Sequence, residues 1–179
     1  MNQNLDKNRF HPVTIPMWII AGLIILPVSI FFLIQHYLIV DPLPEGSTVP
    51  SAILSTMNGE LVSTDSLLTQ EAIFVFFSPT CVHCKHLLAS LQTMFGQPGK
   101  HLSLYAISSG SMTETKTFMA DKDLSFPVLF DSSGKVRELY RVKVVPALFF
   151  IDAHKVLKNF MTGEIGEERL TGLMEKYLK

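Results

Sequence analysis

The sequence contains few cysteines: Cys81 and Cys84 are the only two among 179 residues. A framework of several structural disulfides, of the kind that holds small secreted domains together, is therefore excluded. Basic residues are not in excess either, because 15 Lys and Arg stand against 16 Asp and Glu and give a formal charge of -1. Nucleic acid is therefore not expected as a partner. The length allows one ordinary domain and a short additional segment.

Charge is also missing from one long stretch, since no Asp, Glu, Lys or Arg occurs from Val13 to Val40. A helix needs roughly 20 apolar residues to cross a bilayer, and residues 13–34 supply that length. The apolar part of a cleaved signal peptide is typically about 7–15 residues long, and no small-residue cleavage site follows here. We therefore expect residues 13–40 to be an uncleaved transmembrane signal anchor. A cleaved signal peptide and a buried core helix are the alternatives.

The charges on either side of this stretch predict its orientation. Lys7 and Arg9 precede it, whereas Asp41 and Glu45 follow it. Because basic flanks remain in the cytoplasm, residues 1–12 should be cytoplasmic. This predicts a single-pass protein of the inner (cytoplasmic) membrane, with its C-terminal domain in the periplasm or an equivalent extracytoplasmic space, where disulfides persist.

The first segment beyond the apolar stretch, residues 41–50 (DPLPEGSTVP), combines three prolines with small polar residues and is typical of an extended linker. The folded domain should then cover residues 51–179. Asn58 and Gly59 favour the two positive φ angles of a type I′ turn, so a β-hairpin should open the domain. Residues 72–78 (AIFVFFS) form a short apolar run, typical of a strand covered on both faces.

Strand and helix patterns alternate after this run. Further strands are predicted at residues 101–108, 127–130, 144–152 and 155–162, and helices at 85–95, 112–121 and from 166 to the end. This alternation, closed by a strand pair, predicts an α/β fold with a mixed central sheet flanked by helices.

The two cysteines stand where the predicted central strand passes into a helix, in the sequence Cys81-Val82-His83-Cys84. A thiol at a helix N-terminus meets unpaired backbone N–H groups and the positive end of the helix dipole. Both favour the thiolate, which is the nucleophile in disulfide exchange. The spacing also allows the two sulfurs to form a disulfide. We therefore expect Cys81 to attack a substrate and Cys84 to resolve the mixed disulfide.

Three stretches resemble a known family. They are residues 58–63 (NGELVS), residues 76–85 with the cysteine pair, and residues 140–152 (YRVKVVPALFFID). The chain is similar to the thioredoxin superfamily, and most of all to its membrane-anchored, extracytoplasmic branch related to TlpA, ResA and MauD. The resemblance implies a thioredoxin-like fold with an N-terminal β-hairpin extension, carried on one N-terminal transmembrane helix.

The resemblance also implies which residues meet a substrate. Pro146 falls on the family's cis-proline, which faces the disulfide, and the residue before it offers its backbone to an extended substrate strand. Val145 and Pro146 are therefore expected to bind substrate, as is Thr80, which stands where a tryptophan often precedes the motif. An ordinary strand-edge proline is the alternative for Pro146.

Two acids that relatives often carry beside the cysteines are absent. Val75 stands six positions before the first cysteine, where thioredoxins commonly bury an acid. Leu87 stands three positions after the second, where many TlpA- and ResA-type relatives have glutamate. The resemblance therefore leaves the resolving thiol of Cys84 without its usual proton acceptor.

His83 lies between the cysteines, and DsbA-type oxidases also have His before the second cysteine. As an imidazolium it would stabilise the Cys81 thiolate and so the reduced form, which makes the disulfide a stronger oxidant. A solvated histidine with little influence is the alternative. The redox direction is left open.

We predict a membrane-anchored thiol-disulfide oxidoreductase that acts on extracytoplasmic protein thiols and disulfides through Cys81 and Cys84, together with a membrane redox partner. Neither a cofactor nor a bound metal is expected. Apocytochrome c is one candidate protein substrate. One alternative is a metal- or copper-handling module with Cys81, Cys84 and His83 as ligands. Another is a thiol peroxidase, because residues 76–81 also resemble peroxiredoxins.

Overall fold

The computed structural model describes residues 16–38, 43–95 and 102–177. The chain divides into two units, with the boundary between residues 39 and 40. The first unit contains helix α1 (Met17–Leu38), with Pro27 inside it.

A membrane-spanning helix was expected at residues 13–40. Across the described ranges, no helix has both the length and the apolar character needed to cross a membrane, so the structure does not support that expectation. Residues 13–15 and 39–40 of the predicted span, and the predicted cytoplasmic segment 1–12, lie outside the described residues.

The second unit is built on one seven-stranded mixed sheet. Its strands are β1 (Ile53–Thr56), β2 (Leu61–Ser63), β3 (Ala72–Phe77), β4 (Ser103–Ser108), β5 (Val128–Phe130), β6 (Ala147–Ile151) and β7 (Leu157–Thr162). Its helices are α2 (Thr64–Leu67), α3 (Val82–Phe95), α4 (Met112–Asp121), α5 (Lys135–Leu139) and α6 (Glu167–Tyr177). The strand order is β2-β1-β5-β4-β3-β6-β7, with β3, β4 and β5 parallel and the other pairs antiparallel.

Strand β3 lies between β4 and β6, and all six of its residues are buried. Its alternate side chains enter two apolar clusters, with Val75 and Phe77 in one and Phe74 and Phe76 in the other. Side chains of α3, α4 and α6 complete the first cluster, and side chains of α2 and α5 lie in or against the second. The predicted mixed α/β sheet with a central apolar strand is confirmed.

The predicted β-hairpin is present, because β1 pairs antiparallel with β2. Its turn is not type I′, however, since Gly59 has a φ of 85° but Asn58 is not among the residues of positive φ. The Thr56 N–H instead donates to the Glu60 carbonyl, and the Thr56 hydroxyl accepts from Asn58 and Glu60 N–H groups. This loop is longer than the two-residue type I′ turn, and only Gly59 in it has a positive φ angle.

The segment expected to be an extended linker contacts the sheet where the structure describes it. Gly46 N–H donates to the Leu157 carbonyl, and Leu157 N–H donates to the Ser47 carbonyl, at 2.7 and 2.9 Å. Val49 is buried and donates to the Lys155 carbonyl. These bonds hold residues 46–49 along the start of edge strand β7.

Candidate active site

The cysteine pair lies at the junction of the central strand and helix α3. Strand β3 ends at Phe77, and α3 begins at Val82, so Cys81 occupies the residue just before the helix. Its N–H donates to the Ser78 carbonyl, which closes the connecting turn, and its own carbonyl accepts from Lys85 N–H. The strand therefore delivers Cys81 to the helix N-terminus, as the sequence predicted.

The two thiols differ in exposure and are linked by one hydrogen bond. Cys81 is partly buried. Cys84 is fully buried, in the apolar cluster that the other buried side chains of α3 also enter. The backbone N–H of Cys84 donates to the Cys81 sulfur at 3.2 Å. An N–H directed at a sulfur favours its thiolate form. Only Cys81 therefore combines access to a substrate with this donor.

Burial also changes the acidity of Cys84. It raises the pKa of Cys84 to about 12, and the hydrogen bond with Cys81 acts in the same direction. Cys84 therefore remains protonated at neutral pH in the reduced protein. The buried apolar side chains of Val75 and Leu87 lie in its cluster, at the two positions where the family resemblance suggested an acid.

The loop before β6 brings the predicted substrate contacts to the thiols. The Val145–Pro146 peptide bond is cis, as the resemblance implied. The Cys81 sulfur lies 3.8 Å from the Val145 carbonyl oxygen, to which its S–H can donate. Val145 is partly buried and Pro146 is buried. That they bind substrate stays a prediction.

Thr80 is exposed immediately before Cys81. Its hydroxyl lies 2.9 Å from that of Ser78, so the two side chains close the turn together. The side chain stands on the surface beside the reactive thiol, where the sequence placed it, and its contact with a substrate also stays a prediction.

His83 lies on the solvent side of α3 and faces an acid that the sequence did not reveal. Its Nδ1 is 3.9 Å from a carboxylate oxygen of Glu164, and the two side chains are 55% and 80% exposed. Glu164 follows β7, some eighty residues along the chain, so no local pattern indicated it. A neighbouring carboxylate opposes the effect that a charged His83 would have on a nearby thiolate.

A close backbone approach also shapes the active-site turn. A Cβ atom added to Gly110 would stand 2.6 Å from the ring of Pro79, two residues before Cys81. The loop after β4 is held in place by a buried 2.7 Å hydrogen bond between the Ser108 and Thr115 hydroxyls. No local motif around Gly110 indicates this contact in the sequence.

Metal ligands are not assembled at the pair. Within the described ranges, no group of three or more His, Cys, Asp or Glu residues is arranged to hold an ion. Cys81, Cys84 and His83 are therefore not brought together as the metal-handling alternative requires.

Comparison with known proteins agrees with this fold. Residues 46–160 match the AhpC/TSA family. The thiol-disulfide oxidoreductase ResA of Bacillus subtilis is 25% identical over 138 residues, which cover 75% of this chain and 76% of the relative.

Two solved structures share the fold. A thiol:disulfide interchange protein DsbE of Chlorobium tepidum has a TM-score of 0.69 at 21% identity, covering 76% of this chain and 99% of its own. A secreted Mycobacterium tuberculosis disulfide oxidoreductase, homologous to E. coli DsbE, has a TM-score of 0.62 at 22% identity, covering 70% and 95%.

The thioredoxin-like fold, the Cys-X-X-Cys pair at the start of α3 and the sequence relatives named thiol-disulfide oxidoreductases together identify the chain as a thiol-disulfide oxidoreductase. The chain belongs to the AhpC/TSA family.

Proposed function

We propose that this oxidoreductase exchanges disulfides with extracytoplasmic protein substrates, with Cys81 as the attacking and Cys84 as the resolving thiol. The observation that carries the proposal is the asymmetry of the pair: an accessible Cys81 that accepts the Cys84 N–H, and a Cys84 whose pKa burial raises to about 12. The similarity to ResA, itself named a thiol-disulfide oxidoreductase, supports it.

The exchange has two steps in the reducing direction. The Cys81 thiolate attacks one sulfur of a substrate disulfide, so that a mixed disulfide forms and the other substrate sulfur leaves as a thiolate. The Cys84 sulfur then attacks Cys81, releases the first substrate sulfur and leaves a Cys81–Cys84 disulfide. Two electrons pass to the substrate. The reverse sequence oxidises a substrate dithiol.

The proton of Cys84 needs an acceptor in the second step. Val75 and Leu87 offer no carboxylate at the positions where relatives carry one. We propose that the departing substrate thiolate takes this proton, since it forms beside Cys84 as the new disulfide closes. The resolving step then requires no proton acceptor from the protein.

A substrate strand would lie against the loop before β6. Val145 presents its carbonyl beside Cys81, and Thr80 stands on the surface next to the same thiol. Val145, Pro146 and Thr80 are the proposed substrate contacts. An extended backbone with a cysteine in its centre fits this arrangement, because it can pair with main-chain groups while its sulfur meets Cys81.

Location outside the cytoplasm, with attachment to a membrane through residues 13–40, is also proposed. The charge-free sequence of that segment supports attachment, and the fold shared with a secreted disulfide oxidoreductase is in keeping with an extracytoplasmic site. Fractionation of cells that express the full chain tests it. Recovery in the membrane fraction after a carbonate wash is expected, and recovery in the aqueous fraction would contradict attachment.

Activity with a protein disulfide tests the proposed function itself. Reduced full-length protein should reduce the disulfides of insulin, and Cys81→Ser should abolish the reaction because it removes the nucleophile. A protein that leaves insulin intact but rapidly consumes hydrogen peroxide would instead support the peroxidase alternative.

A further inference from the structure

The backbone proposed to receive a substrate belongs to an irregular loop. Residues 140–146 connect α5 to β6 and belong to neither a helix nor a strand. Val144 is 44% exposed, and Val145 is only partly buried. The sheet ladder begins at Ala147, and Gly163 N–H donates to the Pro146 carbonyl at 2.8 Å, so the end of the loop is tied to the sheet while its middle depends more on side-chain contacts.

Arg137, in α5, makes such contacts. Its Nε donates to the Val142 carbonyl at 2.9 Å, and one terminal nitrogen donates to the Lys143 carbonyl at 3.1 Å. A guanidinium presents its donors in a fixed planar fork, so two bonds to successive carbonyls fix the direction of the backbone as well as its distance. Arg137 and Val145 also line one small cavity at the end of the central strands.

The base of this fork is fixed to the sheet by Asp131, which directly follows β5. The buried Asp131 carboxylate accepts from the Arg137 N–H at 2.7 Å and from the Val136 N–H at 3.2 Å. The chain then turns back through Arg141, whose φ is 54°, and Val142 N–H donates to the Arg137 carbonyl. Arg137 is therefore joined to the loop through both its side chain and its backbone.

We propose that Arg137 is a positioning residue for protein substrates: it holds residues 142–145 so that the Val145 carbonyl stands 3.8 Å from the Cys81 sulfur and can pair with an extended polypeptide. The proposal rests on the proposed function. It predicts a distinction between substrates. A protein disulfide needs the loop, whereas a small disulfide needs only the accessible Cys81.

Two probes measure this distinction in full-length protein reduced beforehand. Insulin provides a protein disulfide, and glutathione disulfide provides a small one. Arg137→Gln loses the fork, and Arg137→Lys retains the charge but not the planar pair of donors. Arg141→Lys makes the same substitution on an exposed side chain of the same turn and is the matched control.

With insulin, Arg137→Gln should lower the second-order rate constant about tenfold, Arg137→Lys should fall between it and wild type, and Arg141→Lys should match wild type. With glutathione disulfide all should agree within about twofold. Arg137 variants as fast as wild type on insulin would overturn the positioning role while the proposed function stands, and equal losses on both probes would also overturn it. Wild type inactive on both probes would refute the proposed function instead.

A measurement on proteins that keep Arg137 covers the case in which neither Arg137 variant folds. The Nε–H proton of Arg137 should exchange with solvent at least tenfold more slowly than that of Arg141, both in the reduced protein and in a mixed disulfide with insulin trapped by Cys84→Ser. Equal exchange in the trapped complex would show that the fork opens when substrate binds, and it would overturn the proposal.

Discussion

The backbone N–H of Cys84 donates a hydrogen bond to the sulfur of Cys81 at 3.2 Å. The residue with the shielded thiol thus supplies a donor to the accessible one. Because Cys84 is itself fully buried, the same short helical turn supplies a donor to the accessible sulfur and raises the pKa of the shielded thiol.

The burial of Cys84 predicts a pH dependence of stability in the reduced protein. Its pKa is raised from an ordinary 9.0 to about 12 in the folded state, so the unfolded chain loses this proton at lower pH. The stabilising contribution is fully present below about pH 9 and is lost as the pH rises toward 12, with a slope of at most about 1.4 kcal/mol per pH unit.

Urea unfolding of reduced wild type and of Cys84→Ser between pH 7 and 10.5 measures this dependence. The difference in unfolding free energy should be constant below pH 8 and should shift against wild type above pH 9. A difference that stays constant throughout would show that the two states hold the Cys84 proton equally.

Replacing His83 should alter the reduction potential. In its charged form the ring favours the Cys81 thiolate, so His83→Ala should make the potential more negative, whereas Glu164→Gln should make it more positive. Both side chains are exposed, so each shift should stay below about 30 mV. Equilibration with glutathione measures both. Equal potentials in all three proteins would leave no argument for an oxidising role.

Gly110→Ala should disturb the active-site turn, because the new methyl group would meet the Pro79 ring at 2.6 Å. Overpacking of this kind costs typically about 1–3 kcal/mol. The control is Gly172→Ala in α6, where the added Cβ meets nothing within 4 Å and the helix should gain up to about 1 kcal/mol. Thermal unfolding distinguishes the pair, and equal melting temperatures would contradict the predicted clash.

The sequence was informative wherever local pattern determines structure. The apolar run that became β3 and the cysteines at the start of α3 were predicted from short segments, and the cis bond before Pro146 was implied by the family resemblance. The strand predicted over residues 144–152 begins only at Ala147. The turn after Thr56 was predicted wrongly because the Asn-Gly dipeptide permits a type I′ turn without requiring one.

The features that were missed depend on distant contacts. Glu164 reaches His83, and Gly110 meets Pro79, only after the sheet has brought separate segments together. The Arg137 guanidinium bonds to residues only five and six positions away along the chain. Its partners are backbone carbonyls, however, and these do not depend on residue identity.

Trapping of the mixed disulfide tests the central claim most directly. Full-length Cys84→Ser, Cys81→Ser and wild type should be expressed in the same cells and acid-quenched, and their disulfide-linked complexes compared on non-reducing gels. Cys84→Ser should accumulate client proteins bound through Cys81, because the resolving thiol is gone, while the other two should show few or none. Accumulation on Cys81→Ser without accumulation on Cys84→Ser would show that the buried thiol attacks, and it would reverse the assigned roles.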